Sequence, residues 1–209
     1  MINYRLMTPG PVAVPQDARL AMAREQRNHR TASFRATLAS VHRGLQEILR
    51  TQNTICLLTS SGTGGMEAAV ANVVERGAKV IVLESGKFAE RWSQIAEQFG
   101  AVVVRYQVPW GASFDAAELR RLLELHPDTV AVFATLSESS TGVGHSIAAF
   151  GDVVARTSAV FVVDAISGAA CMDCETDEWK IDLLVVGSQK ALMGPPGAAM
   201  VAVSRAYSA

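Results

Sequence analysis

The chain has 209 residues, of which 49% are hydrophobic, 19% charged and 6% aromatic. That is far too apolar for a disordered chain and long enough to bury one substantial core. Nineteen basic against twenty acidic side chains leave a formal charge of -1, so no broad field draws nucleic acid or an anionic membrane, and any anion has to be bound locally.

In chain order, Thr8-Pro-Gly-Pro-Val-Ala-Val-Pro15 reads as an extended arm, because each proline fixes φ and removes a donor. A helix follows over Phe34 to Leu49, with Leu38, Val41, Leu45 and Ile48 on one face. We take residues 1–50 as a preface of arm and helix and residues 51–209 as the principal domain. From residue 54, short apolar runs alternate with stretches of helical period. The runs are Thr54 to Leu58, Lys79 to Leu83, Val102 to Val108, Thr129 to Leu136, Ala159 to Asp164 and Asp182 to Gly187, with a returning strand over Ala198 to Ser204. Between them, Met66, Ala69, Val70 and Val73 share a helical face, as do Phe88, Trp92, Ile95 and Phe99, and then Leu119, Leu122 and Leu123. Strands apolar throughout are expected where helices cover both faces, so the rhythm predicts a three-layer, doubly wound α/β fold on a mainly parallel sheet.

Cys56, Cys171 and Cys174 are too few and odd in number for a disulfide framework, which points to a reducing, cytoplasmic setting. The start of the chain, Met1 to Gly10, lacks a signal-peptide core, and no run is long enough to cross a bilayer. Cys171 and Cys174 form a C-x-x-C pair, but zinc needs two more ligands and no helix start surrounds the pair; they read as two reduced thiols, and no metal is expected. His42 and His145 have no partner visible in sequence and read as ordinary helix and loop residues.

In sheets of this kind ligands sit at the carboxyl ends of the strands. Three such places carry chemistry. After the strand ending near Thr59 comes Ser60-Ser-Gly-Thr-Gly-Gly65, ahead of a helical pattern that begins at Met66. It is either a tight connection or a cradle in which backbone N–H groups, hydroxyls and a helix start receive a phosphate. It lacks the lysine of a nucleotide P-loop and the spacing of a dinucleotide fingerprint. Second, Val160-Phe-Val-Val-Asp164 ends an apolar strand in a carboxylate, which either caps the following turn or faces a cationic partner such as a protonated pyridine nitrogen. Third, Val185-Val-Gly-Ser-Gln-Lys190 ends a buried strand in a lysine, and the turn Gly194-Pro-Pro-Gly197 follows. Such a lysine either snorkels to solvent or, held among other groups, loses its proton and forms a Schiff base with a carbonyl.

Taken together, these segments resemble the class V aminotransferases of pyridoxal phosphate fold type I, particularly the alanine:glyoxylate and serine:glyoxylate group. The resemblance rests on Leu6-Met-Thr-Pro-Gly-Pro11, His29-Arg30, Ser61-Gly-Thr-Gly-Gly-Met-Glu67, Ser85-Gly-Lys-Phe-Ala-Glu-Arg-Trp92, Glu138-Ser-Ser-Thr-Gly-Val143, Val163-Asp-Ala-Ile-Ser167 and Gly187-Ser-Gln-Lys-Ala-Leu-Met-Gly-Pro-Pro-Gly197, in the family's order. It implies pyridoxal 5'-phosphate as cofactor, Lys190 as the Schiff-base lysine and proton shuttle, and Asp164 paired with the pyridine nitrogen. It further implies Ser61, Gly62 and Thr63 on the phosphate with Gln189 nearby, Phe88 stacked on the ring, and Ser139 near the phenolic oxygen. The substrates implied are a small amino acid, alanine or serine, and a 2-oxo acid, glyoxylate or pyruvate. The assembly implied is a homodimer whose active site lies at the subunit interface. Members of the family continue into a small C-terminal domain carrying the arginine that clamps the substrate carboxylate. That arginine is not among these 209 residues, so for this stretch alone the expectation is weak cofactor binding, little transamination and an exposed apolar face.

Overall fold

A computed structural model describes residues 5–205 and 207; the first four residues, and positions 206, 208 and 209, lie outside the description. The elements run α1 (Gln16–Met22), α2 (Ala32–Leu49), β1 (Thr54–Leu58), α3 (Gly62–Val73), β2 (Lys79–Glu84), α4 (Lys87–Gln98), β3 (Val102–Gln107), α5 (Ala116–Leu125), β4 (Thr129–Thr135), β5 (Ser137–Glu138), β6 (Val143–Gly144), α6 (Ile147–Val154), β7 (Val160–Asp164), β8 (Leu183–Gly187) and β9 (Ala199–Val203). Seven strands form one sheet in the order β1-β9-β8-β7-β4-β2-β3, and β5 and β6 form a separate hairpin. Neighbours from β8 to β3 are parallel; β9 pairs antiparallel with both β8 and β1, so it alone in this sheet runs against the rest. The three-layer, mainly parallel α/β fold expected from the strand rhythm is the one observed.

Alternation along the central strands sorts the core into two faces. Ile81, Leu83, Val132, Ala134, Phe161, Val163, Leu184 and Val186 join Leu119, Leu123, Phe150 and Val153 from α5 and α6, together with Leu45 and Leu49 from the end of α2. Val80, Val82, Ala131, Phe133, Val162 and Val185 point the other way, onto Met66, Ala69 and Val70 of α3 and Trp92 and Ile95 of α4. Trp92 and Phe133 pack as a tilted ring pair with centroids 4.9 Å apart, a contact that contributes about 1 kcal/mol beyond its buried area. The edge strands β1 and β3 are only partly covered, unlike the central strands.

Several expectations are corrected. The helix after the Gly-rich turn begins at Gly62, not at Met66: Ser61 caps it, its hydroxyl accepting from Gly64 N at 3.3 Å. Glycine at position 65 is needed because α3 lies close on the sheet, where a Cβ would meet Val185 Cγ1 at 2.9 Å. On α2, Leu45 and Leu49 are buried while Leu38, Val41 and Ile48 face solvent, so the expected apolar face is covered only at the C-terminal end. Phe99 is exposed just past α4 rather than in the core. Helices α1 and α6 and the β5-β6 hairpin were not anticipated.

His145 is not an ordinary loop residue. It is buried, its Nε2 lies 2.8 Å from Ser85 Oγ, its ring packs on Phe114, and burial pushes its pKa down. His42, by contrast, sits half-buried on α2. Cys171 is exposed and Cys174 buried; burial pushes the Cys174 thiol up to about 11, the opposite of what a redox or zinc thiolate needs.

Candidate active site

Parallel strands bring their carboxyl ends to one rim, and the register there is tight. Thr135 of β4 lies opposite Asp164 of β7, and Asp164 lies opposite Val185 of β8. At this rim a cavity of about 270 Å³ is lined by Ser61, Gly62, Thr63, Phe88, Asp164, Gln189 and Lys190, together with Gly10, Pro11, Met66, Arg91, Ser137, Ile166 and Ser167. Seven of the eight residues singled out from sequence therefore meet around one space. Ser139, the eighth, is half-buried at the start of the β5-β6 turn, and Ser137 rather than Ser139 is on the cavity wall.

The phosphate-type cradle follows from the cap of α3. Ser61 Oγ is used by Gly64 N, and Gly65 N bonds to the Ser61 carbonyl at 3.1 Å. The N–H groups of Gly62 and Thr63 make no hydrogen bond among the described residues. Two orphan donors at the positive end of a helix form an anion-binding feature.

Asp164 closes β7 with a side chain buried to 4% exposure. Its Oδ1 accepts from Ile166 N at 2.8 Å, and Oδ2 has no hydrogen bond among the described residues. Burial, with Glu138 nearby, pushes the carboxyl up to about 7, against the opposing pull of the Ile166 N–H and of the Arg91 and Lys190 charges. Beside it, Thr135 Oγ1 is also buried without a hydrogen-bond partner among the described residues. A buried carboxylate with one oxygen open is suited to accept from a cationic N–H donor.

Lys190 stands three residues beyond β8, in a loop closed by Gly194 N to Ser188 O at 2.8 Å and by Ser188 Oγ to Pro195 O at 2.6 Å. The arm crosses it: Val12 N donates to Gln189 O at 3.0 Å, and a Cβ on Gly10 would stand 2.3 Å from Lys190 Cδ. Lys79, Lys87 and Lys180 pair with Asp128, Glu90 and Asp152, whereas Lys190 pairs with no carboxylate among the described residues.

Phe88 is held by its backbone. Glu138, fully buried, accepts from Phe88 N at 3.1 Å, Ala89 N at 2.9 Å and Ser140 Oγ at 2.6 Å, and so caps α4 from the neighbouring hairpin. Neither this role nor Arg91 was seen in the sequence. Both lie within motifs of the sequence, Glu138 in Glu138 to Val143 and Arg91 in Ser85 to Trp92, but nothing local marks either as part of the site. Among the described residues no helix is long and apolar enough to cross a membrane, and no cluster of His, Cys, Asp or Glu is arranged to hold a metal.

The sequence pattern described as Aminotransferase class-V matches residues 18–209. Among curated proteins, the chain is 36% identical to a "Soluble hydrogenase, small subunit" of a Synechococcus species, over 95% of this chain and 53% of that one. It is 34% identical to the L-aspartate--glyoxylate aminotransferase of Paracoccus denitrificans, over 95% of this chain and 52% of the relative. Among solved structures, the alanine--glyoxylate aminotransferase of a Nostoc species superposes with a TM-score of 0.94 at 29% identity, over 99% of this chain and 55% of that one. The chain spans about half the length of the curated relatives it matches. With nearly the whole chain inside the family pattern, it belongs to the class-V aminotransferases.

Proposed function

We propose that the protein acts as a pyridoxal 5'-phosphate-dependent transaminase, moving an amino group from a small amino acid, alanine or serine, to a 2-oxo acid, glyoxylate or pyruvate. The observation that carries the reading is the pairing, in one cavity, of a lysine in ion-pair contact with no carboxylate among the described residues and a buried carboxylate with one oxygen open among them. These residues fit the cofactor. The cavity offers two orphan N–H donors for a phosphate, an acidic acceptor for a ring N–H⁺, and an amine for an aldehyde. When bound, pyridoxal phosphate supplies a sink for the electron pair left when a substrate α-proton departs.

The chain's own residues supply the rest. Gly62 and Thr63 hold the phosphate through their N–H groups, with the hydroxyls of Ser61 and Thr63 and the Gln189 amide beside them. Asp164 keeps a proton on the ring nitrogen, because a cation at its open oxygen offsets the desolvation that otherwise drives the carboxyl neutral. Phe88 would cover one face of the ring, and Ser137, on the cavity wall where Ser139 is not, would be the nearer hydroxyl for its phenolic oxygen. The Lys190 amine would hold the cofactor aldehyde and, when not so engaged, would take and return the substrate α-proton.

Glyoxylate is in the names of both the Paracoccus and Nostoc relatives, which supports the acceptor, while their donors differ. A cytoplasmic homodimer completes the proposal. Its supports are the bare apolar stripe Leu38, Val41 and Ile48 on α2, the exposed Leu6 and Met7 of the arm, and three cysteines without disulfides. The test is a panel of amino donors with glyoxylate or pyruvate as acceptor, run on the native gene product with pyridoxal phosphate. Appearance of glycine or alanine with loss of a small donor is expected. No amino transfer to either acceptor, in a preparation that binds the cofactor, would overturn the proposal.

A further inference from the structure

Arg91 sits one turn into α4 on the wall of the cavity that holds Lys190. It makes no ion pair with a carboxylate among the described residues, although Glu90 on the same turn is engaged by Lys87. With no carboxylate in ion-pair contact among the described residues, this half-buried charge is available to an anion in the cavity. Two contacts hold the guanidinium in place. Its Nη1 donates to Thr63 Oγ1 at 3.0 Å, and its Cζ stands 5.4 Å from the Phe88 ring centroid.

The first contact has a directional consequence. A hydroxyl has one proton and two lone pairs. With one lone pair of Thr63 engaged by a charged donor, its proton is left to point into the cavity, and polarisation by the guanidinium strengthens it as a donor. Thr63 is the second residue of α3, where its own N–H and that of Gly62 also have no partner among the described residues. Three donors and a positive charge therefore converge on one place.

We infer that Arg91 is a positioning residue for the cofactor phosphate, acting through Thr63: it commits the Thr63 hydroxyl as a donor and adds a full positive charge to a cradle otherwise built from a helix start. This rests on the reading of the cavity as a pyridoxal phosphate site. It separates from a purely structural role for Arg91, in which the guanidinium only braces α3 against α4 and lies along Phe88. A brace acts on any ring bound in the cavity, whereas a phosphate-directed group acts only on a ligand that carries the phosphate.

The experiment compares pyridoxal phosphate with pyridoxal, which lacks the phosphate, as ligands of the native gene product, with binding read from the absorbance of the lysine-bound form. Arg91→Gln is expected to weaken pyridoxal phosphate about tenfold. Thr63→Val is expected to do the same, and the double variant to lose less than the product of the two, because each change removes the other's partner. Pyridoxal affinity stays within about twofold throughout. Arg91→Lys keeps the charge with less disturbance to folding, and it is expected to fall between wild type and Arg91→Gln for the phosphorylated ligand alone. Equal losses for both ligands, or multiplicative losses in the double variant, would overturn the inference while leaving the functional reading intact. A wild-type protein that captures neither ligand would overturn the functional reading and this inference with it.

Discussion

Replacing Asp164 by asparagine in the cofactor-free protein isolates the physical core of the site. The carboxyl, ordinarily near 3.8, is pushed up to about 7 by burial. The folded state therefore binds more protons than the unfolded state between these values, and its stability falls as pH rises through that window. The favourable contribution is complete below about pH 4 and is gone above about pH 7, where both states are ionised and the folded one carries a desolvated charge. At pH 5 the folded carboxyl is still two units below its midpoint, so raising the pH to 8.5 removes about 3 kcal/mol of stability through this one group. Asparagine is close to the neutral acid in size and does not titrate. Urea unfolding of wild type and Asp164→Asn, both stripped of cofactor, should show the variant gaining about 2 to 3 kcal/mol on wild type between pH 5 and pH 8.5. Pyridoxal phosphate should act in the opposite sense, stabilising wild type far more than the variant. Parallel pH profiles for the two proteins would refute the reasoning, because they would mean that the Asp164 charge is solvated or already compensated.

Two further expectations follow from the same geometry. Gly10→Ala places a methyl group 2.3 Å from Lys190 Cδ and 2.9 Å from Nζ, so the lysine must move; capture of pyridoxal phosphate should slow on the order of tenfold or more, with little change in melting temperature because the arm is largely exposed. Glu138→Gln turns one acceptor oxygen toward the Phe88, Ala89 and Ser140 donors into an amide donor; urea unfolding should show a loss of about 2 to 3 kcal/mol, and the bound cofactor should show weakened circular dichroism as Phe88 loses its anchor.

The strands were legible because their residues are apolar on both faces, and that pattern survives any arrangement of neighbours. The order of the sheet was not, since nothing local in Ala199–Val203 says that this strand inserts between β1 and β8. Helix α6, Ile147–Val154, escaped notice because it is short, almost wholly apolar and contains Gly151, so it has no polar face to mark its period. Glycines at 62, 64 and 65 likewise disguised the first turn of α3, where the Ser61 cap outweighs poor helix propensity. Lys190, Asp164 and the Ser61-Gly62-Thr63 turn were readable because each breaks an apolar or helical pattern at a strand's carboxyl end. Arg91, Glu138 and His145 break no pattern. Their roles depend on partners 28, 50 and 60 residues away in sequence, a relation only the folded chain reveals.

Borohydride reduction after incubation with pyridoxal phosphate, followed by peptide mapping, tests most directly whether Lys190 is the residue that holds the cofactor. A stable label on the peptide carrying Lys190, absent from Lys190→Ala, is the expected result. Label shared among Lys79, Lys87 and Lys180, or undiminished in the variant, would contradict it.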